Sequence, residues 1–165
     1  MAERLVGVTL PSVVLGVNGE DSLNLRQLAC GHPLVIYLYP GNEGAPVGSE
    51  DAGLMDAVQH RAFRDHQPDL EARGYRTVGV SSEGTKAQTR AMLEGRLTHR
   101  LLSDPRLQLA ERLQLPTVTD GEVGRYRRLT LVVHNGYIVK VFFPVGSAAR
   151  SAAQVIAWMT IQGIG

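Results

Sequence analysis

The stretch LVIYLYPGNEGAPVGSEDAGLMDAVQHRAFRD, residues 34–65, decides the fold. Its first six residues form a continuous apolar, β-rich run of the length expected for a strand buried on both faces. Pro40 ends that strand. Residues 41–53 then carry four glycines, one proline and three acids without periodicity, and read as a loop. Val58, Ala62 and Phe63 return at helical spacing behind Asp56, a residue suited to an N-cap or first turn, and predict a helix from near Asp56 to about Gln67. A strand end feeding a helix N-terminus is where α/β proteins commonly do chemistry, because unpaired N–H groups and the helix dipole meet there. No cysteine, serine or threonine stands at the mouth of this predicted helix.

Toward the N-terminus, residues 9–15 read as extended, Asn18-Gly19 favours a tight turn, and residues 22–28 return as a short strand or turn, together a leading β-hairpin. Beyond the central stretch, Pro68 interrupts the helix and Gly74 closes the turn that follows. A strand over 75–80, a helix over 85–94 and a short strand over 100–102 come next. Asp104 then caps a helix with Pro105 at its first position, ended by Pro116. Strands over 128–133 and 137–143 flank His134-Asn135-Gly136, a strong hairpin signal, and residues 147–162 close the chain as a helix. Strands alternating with helices, followed by an antiparallel hairpin, imply an α/β protein with a mixed sheet and helices on both faces. The thioredoxin-like architecture fits this order, with the leading hairpin as an addition.

A length of 165 residues suits one domain, residues 1–165, able to bury a core without disulfides. A net charge of +1 without a basic stripe argues against nucleic acid as a partner. The single cysteine, Cys30, excludes an internal disulfide and a Cys-rich zinc site. No apolar run approaches the roughly 20 residues that cross a bilayer, and the start has no secretory pattern. These features predict a soluble, cytoplasmic protein. The five histidines show no metal-ligand spacing with a nearby carboxylate, and neither a metal nor a cofactor is expected.

Three segments in this order, LVIYLYP at 34–40, LLSDPRLQLAERLQLP at 101–116 and RRLTLVVHNGYIVKVFFP at 127–144, resemble the peroxiredoxins of the alkyl hydroperoxide reductase and thiol-specific antioxidant type. AFRDH at 62–66 is similar to the helix following the active site in one subgroup. The resemblance implies a thioredoxin-like fold and a homodimer. It places the family's attacking cysteine on Asp56, its resolving cysteine on Arg61, and its thiolate-supporting hydroxyl on Gly53. Pro40 matches the proline that shields the thiolate, and Arg128 the arginine that polarises thiol and peroxide.

A carboxylate cannot accept an oxygen atom from a peroxide as a thiolate does. His60, one helical turn beyond Asp56, can share its face, so Asp56, His60 and Arg128 are the candidate catalytic acid, base and anion-binding group. Pro40, Gly53, Tyr39 and Arg61 are the candidate substrate-binding residues. The expectation is a protein that has lost thiol peroxidase chemistry and turned its pocket to non-redox acid/base chemistry on a small oxygenated or anionic metabolite: a lyase, isomerase, hydrolase or cyclisation reaction. The alternatives are an Asp56 that merely caps the helix and pairs with Arg128 in an inert binding protein, or a one-cysteine peroxidase using Cys30. The strand over 34–39 should place Cys30 about 20 Å from the family's pocket, at the opposite sheet edge. The loop 41–53, long for such a connection, is a candidate lid. Tyr37 reads as core.

Overall fold

A computed structural model describes residues 2–45 and 50–165. At its centre lies β3 (Leu34–Leu38), with every residue buried. It pairs in parallel with β4 (Arg76–Ser81), which pairs in parallel with β5 (Arg100–Ser103). On its other side β3 is antiparallel to β8 (Leu129–His134), and β8 to β9 (Tyr137–Phe142). The leading hairpin of β1 (Val14–Val17) and β2 (Asp21–Asn24) completes a seven-stranded sheet in the order β2-β1-β5-β4-β3-β8-β9.

The period of two along β3 divides the core. Leu34, Ile36 and Leu38 face one cluster, which includes Leu25 and Ala29 of α1 (Leu25–Gly31) and Leu109 and Leu113 of α5 (Gln108–Leu113). Val35, Tyr37 and Tyr39 face the other, under Phe63 of α2 (Glu50–Asp65), Leu70 of α3 (Gln67–Ala72) and Val155 and Met159 of α6 (Ser151–Ile161). Cover on both faces explains why this strand is apolar at every position rather than at alternate ones. α4 (Thr85–Gly95) packs beside β5. The mixed sheet flanked by helices is the thioredoxin-like architecture expected, with its N-terminal hairpin.

Several boundaries differ from the sequence reading. α2 begins at Glu50, so residues 50–53 are helical and Asp56 lies in the second turn, too far in to serve as an N-cap. Residues 46–49 of the candidate lid lie outside the described residues. α2 ends at Asp65, before Pro68 enters the first turn of α3. Of residues 22–28, expected as strand or turn, residues 25–28 instead belong to α1, whose start is capped by the Asn24 side chain accepting from Gln27 N–H at 3.2 Å. Thr9 contributes only an isolated bridge to Tyr137. Pro105 precedes the helix: Asp104 accepts from the N–H groups of Gln108 and Leu109 at 2.8 and 3.0 Å, so α5 starts later than predicted. A separate hairpin of β6 (Thr117–Asp120) and β7 (Val123–Tyr126) was not foreseen.

Candidate functional site

The C-terminal ends of β3 and β4 open into a cleft of about 670 Å³ between α2 and α4. Gly53, Asp56, His60 and Arg61 of α2 line it, facing Lys86 and Arg90 of α4. Arg128, immediately before β8, reaches Asp56 from outside this lining, with Nη2 2.7 Å from Oδ1. Its Nη1 donates to Gln59 Oε1 at 2.9 Å, and Gln59 Nε2 donates in turn to Ser151 Oγ of α6 at 3.3 Å. The register of β3 on β8, Leu38 opposite Leu129, is what delivers Arg128 to the buried side of α2.

The electrostatics of Asp56 are set by burial first. Loss of water raises its carboxyl against the opposing pull of the Arg128 cation and, with buried Glu83 adding to the rise, leaves it at about 6. Burial also acts first on His60, pushing it down to about 3, with His99 and Arg128 adding to the effect. His60 is therefore neutral. Its Nδ1 lies 2.8 Å from the Tyr37 hydroxyl, and that same hydroxyl lies 2.7 Å from His99 Nε2. Tyr37 stacks on Phe63 with centroids 4.3 Å apart, which fixes the hydroxyl between the two imidazoles. His99, just before β5, is lowered by burial to about 4, so the three side chains form a neutral buried bridge.

The structure thus brings Asp56, His60, Gly53 and Arg61 to one cleft, and sets Arg128 behind it. Arg128 is engaged by Asp56 and Gln59 rather than pointing into the cleft as an anion site. Pro40 is half-buried and outside the lining, and its carbonyl lies 3.5 Å from Arg125 Nη1. Tyr39 is fully buried, so it cannot touch a substrate in the cleft. Its ring packs edge-on against His60 at 4.6 Å. Cys30 is exposed near the end of α1 and lines neither this cleft nor a second one at the other edge of the sheet. Sequence reasoning missed His99, Gln59 and the polar role of Tyr37. A signal existed in Gly79, an interior strand glycine, because such a glycine marks close approach by another group. Among the described residues no cluster of three His, Cys, Asp or Glu is placed to hold a metal, and no helix is long and apolar enough to cross a membrane.

Residues 5–156 match the Redoxin family model. The peroxiredoxin bcp1 of Schizosaccharomyces pombe is 29% identical over 120 residues, covering 73% of this chain. The chain spans 57% of the length of that relative. Among solved structures, the peroxidoxin BcpB of Mycobacterium tuberculosis superposes with a TM-score of 0.79 at 20% identity over 97% of both chains. The bacterioferritin comigratory protein of Xanthomonas campestris, studied for its alkyl peroxide reduction activity, gives 0.73 at 21% identity over 92% of this chain and 94% of its own. These relatives overturn the expectation of a non-redox lyase, isomerase, hydrolase or cyclase: their names carry peroxide chemistry.

Proposed function

The chain belongs to the redoxin family, and on that premise we propose that it is a thiol-dependent peroxidase whose reacting sulfur is Cys30. One observation carries the assignment: peroxide reduction needs a sulfur nucleophile, and Cys30 is the chain's single cysteine. The thiol is exposed near the end of α1, open both to a peroxide and to a second thiol. Arg26, also exposed and four residues earlier on α1, shares its helix face.

The Cys30 thiolate attacks the terminal oxygen of a hydroperoxide. An S–O bond forms, the O–O bond breaks, and the leaving alkoxide takes a proton from water to depart as an alcohol. The sulfur is oxidised to a sulfenic acid. The chain holds no second cysteine, so the reductant is external. One low-molecular-weight thiol condenses with the sulfenic acid, releasing water, and a second displaces the mixed disulfide and restores the thiolate. A reducing compartment such as the cytoplasm supplies those thiols. The homodimer implied by the family resemblance is part of the same reading. In the old pocket, Asp56 and Arg128 act as a structural pair that binds α2 to the start of β8.

The test is consumption of hydrogen peroxide and of an alkyl hydroperoxide with excess thiol, together with mass spectrometry of Cys30 after one equivalent of peroxide. Turnover lost in Cys30→Ser, and a sulfenic or mixed-disulfide adduct on Cys30, are expected. A wild type without turnover, or a Cys30→Ser variant that turns over equally, overturns the assignment.

A further inference from the structure

The cleft between α2 and α4 holds acids and cations together, but most of its acids are already committed. Asp56 is paired with Arg128. Glu83 accepts from Asn42 N–H and from the Ser81 hydroxyl, each at 3.2 Å. Glu43 accepts from Gly84 N–H at 2.8 Å, where α4 begins. Among the described residues only Glu94, on the exposed rim, is an acid of this cleft without such a bond. Three cations stand against it: Arg61 on α2, and Lys86 and Arg90 one turn apart on α4. All three are exposed and have no ion pair or hydrogen bond among the described residues. The uncommitted charge of the cleft is therefore positive.

Between the two rims the helices present methyl groups. Ala57 on α2 faces Ala87 and Ala91 on α4, all half-buried, and each α4 alanine directly follows a rim cation. His60 lines the same cleft and is 4% exposed. Its Nδ1 is bonded to Tyr37, whereas Nε2 has no partner among the described residues and, unlike His99 Nδ1, is not sealed from solvent. One unpaired polar atom of a buried ring thus opens on the cleft. A volume of about 670 Å³ is that of a site for an organic ligand rather than a simple ion.

We propose that this cleft binds a small organic dianion with a carboxylate at each end, one on Arg61 and the other on Lys86 and Arg90. Its apolar middle rests on Ala57, Ala87 and Ala91, and one of its oxygens accepts from His60 Nε2–H. Guanidinium groups grip carboxylates through paired N–H donors, and cations on opposing walls call for charge at both ends of the ligand. The consequence reaches the buried bridge. With the proton on Nε2, His60 Nδ1 accepts from the Tyr37 hydroxyl, and the Tyr37 oxygen accepts in turn from His99 Nε2–H. Occupancy of the cleft thus selects one of the two proton arrangements open to the three side chains. Cys30 lies outside this cleft, so dianion binding is separable from the thiol chemistry.

The test is isothermal titration calorimetry of the full chain with succinate, adipate and suberate, with hexanoate as the one-ended control. Saturable binding is expected for at least one diacid, about tenfold or more tighter than for hexanoate, because the second carboxylate adds a charge-assisted contact. Arg61→Gln and Arg90→Gln, exposed positions whose variants are expected to fold, should each weaken it about tenfold or more. Arg112→Gln, on the exposed surface of α5 outside the cleft, and Cys30→Ser should bind like the wild type. ¹⁵N-histidine spectra of the saturated chain should show His60 in the Nε2–H form. Absence of saturation by every diacid, hexanoate bound as tightly, an affinity unchanged in either Arg61→Gln or Arg90→Gln, equal weakening in a control variant, or a saturated chain with His60 protonated at Nδ1 overturns the proposal.

Discussion

Acidification is expected to destabilise this protein through two buried histidines, and the size of the loss follows from their surroundings. His60 and His99 sit at about 3 and about 4 when folded, against an ordinary value of 6.5, because burial disfavours the imidazolium. A folded value below the unfolded one means stability is complete above about pH 6.5 and drains as pH falls, since the unfolded chain takes up protons that the folded chain refuses. At roughly 1.4 kcal/mol per pH unit, going from pH 7 to about 4.5 costs about 3 kcal/mol for each histidine. Asp56 opposes them. Its folded value of about 6 lies above 3.8, so its contribution is full below about 3.8 and is lost as pH rises through about 6. On the same acid shift it returns about 2 kcal/mol. The net loss is about 3 to 4 kcal/mol, a large share of the roughly 5–15 kcal/mol that holds a typical domain folded. Urea unfolding followed by far-ultraviolet circular dichroism at several pH values measures it. Asp56→Asn should deepen the acid loss to about 5 to 6 kcal/mol, and His60→Gln should reduce it to about 1. A wild type that loses less than about 1 kcal/mol, or an Asp56→Asn variant with a shallower slope, would refute the reasoning.

The ion pair and two buried contacts give further tests. Arg128→Met leaves Asp56 buried without its cation and is expected to cost about 3–5 kcal/mol at neutral pH, less once Asp56 is protonated, which thermal melts on either side of pH 6 will resolve. Tyr126→Phe removes the hydroxyl that donates to Asp104 at 2.7 Å and accepts from Ala110 N–H at 2.9 Å. With that buried N–H left unpaired, a loss of about 1–3 kcal/mol is expected in chemical denaturation. Gly79→Ala places a methyl 2.7 Å from both Tyr37 Cζ and Leu101 Cδ2. Overpacking should cost about 1–3 kcal/mol and disturb the Tyr37 hydrogen bonds, visible as altered His60 and His99 ¹⁵N shifts.

The fold was legible where one local cause determines one local structure. The run at 34–39 could only be a strand covered on both faces, and Asn135-Gly136 could only be a tight turn, with both residues at positive φ. Legibility failed where tertiary contact outweighs local signal. Glu50 to Gly53 read as loop because their composition is glycine-rich and acidic, yet they extend α2 over the sheet by a turn and carry Asp56 away from the helix end. That shift changes the chemistry assigned to Asp56. The carboxylate is held by Arg128 within the second turn instead of by the free N–H groups of a first turn. Residues 25–28 were misread for the opposite reason: Leu25 and Ala29 are spaced for a helix, but the window is too short for periodicity to separate it from a returning strand.

The bridge of His60, Tyr37 and His99 shows what a single chain of letters withholds. His99 follows Tyr37 by 62 positions, and nothing near either residue marks them as partners. What unites them is sheet register. Tyr37 on β3 stands opposite Gly79 on β4, and Gly79 opposite Leu101 on β5. Any side chain at Gly79 would occupy the space that the Tyr37 ring crosses, since its Cζ and Oη lie 2.7 and 2.9 Å from where a Cβ would be. The glycine is thus a gap in β4 through which a tyrosine from the central strand reaches a histidine ahead of β5. A tyrosine retained only for volume would be replaceable by phenylalanine at little cost. One hydroxyl shared between two neutral imidazoles is not, because Tyr37→Phe leaves both ring nitrogens buried and unpaired. The sequence alone contained the glycine and the tyrosine, but only the register makes them parts of one device, which runs from the cleft between α2 and α4 to the cleft where β3, β4 and β5 begin.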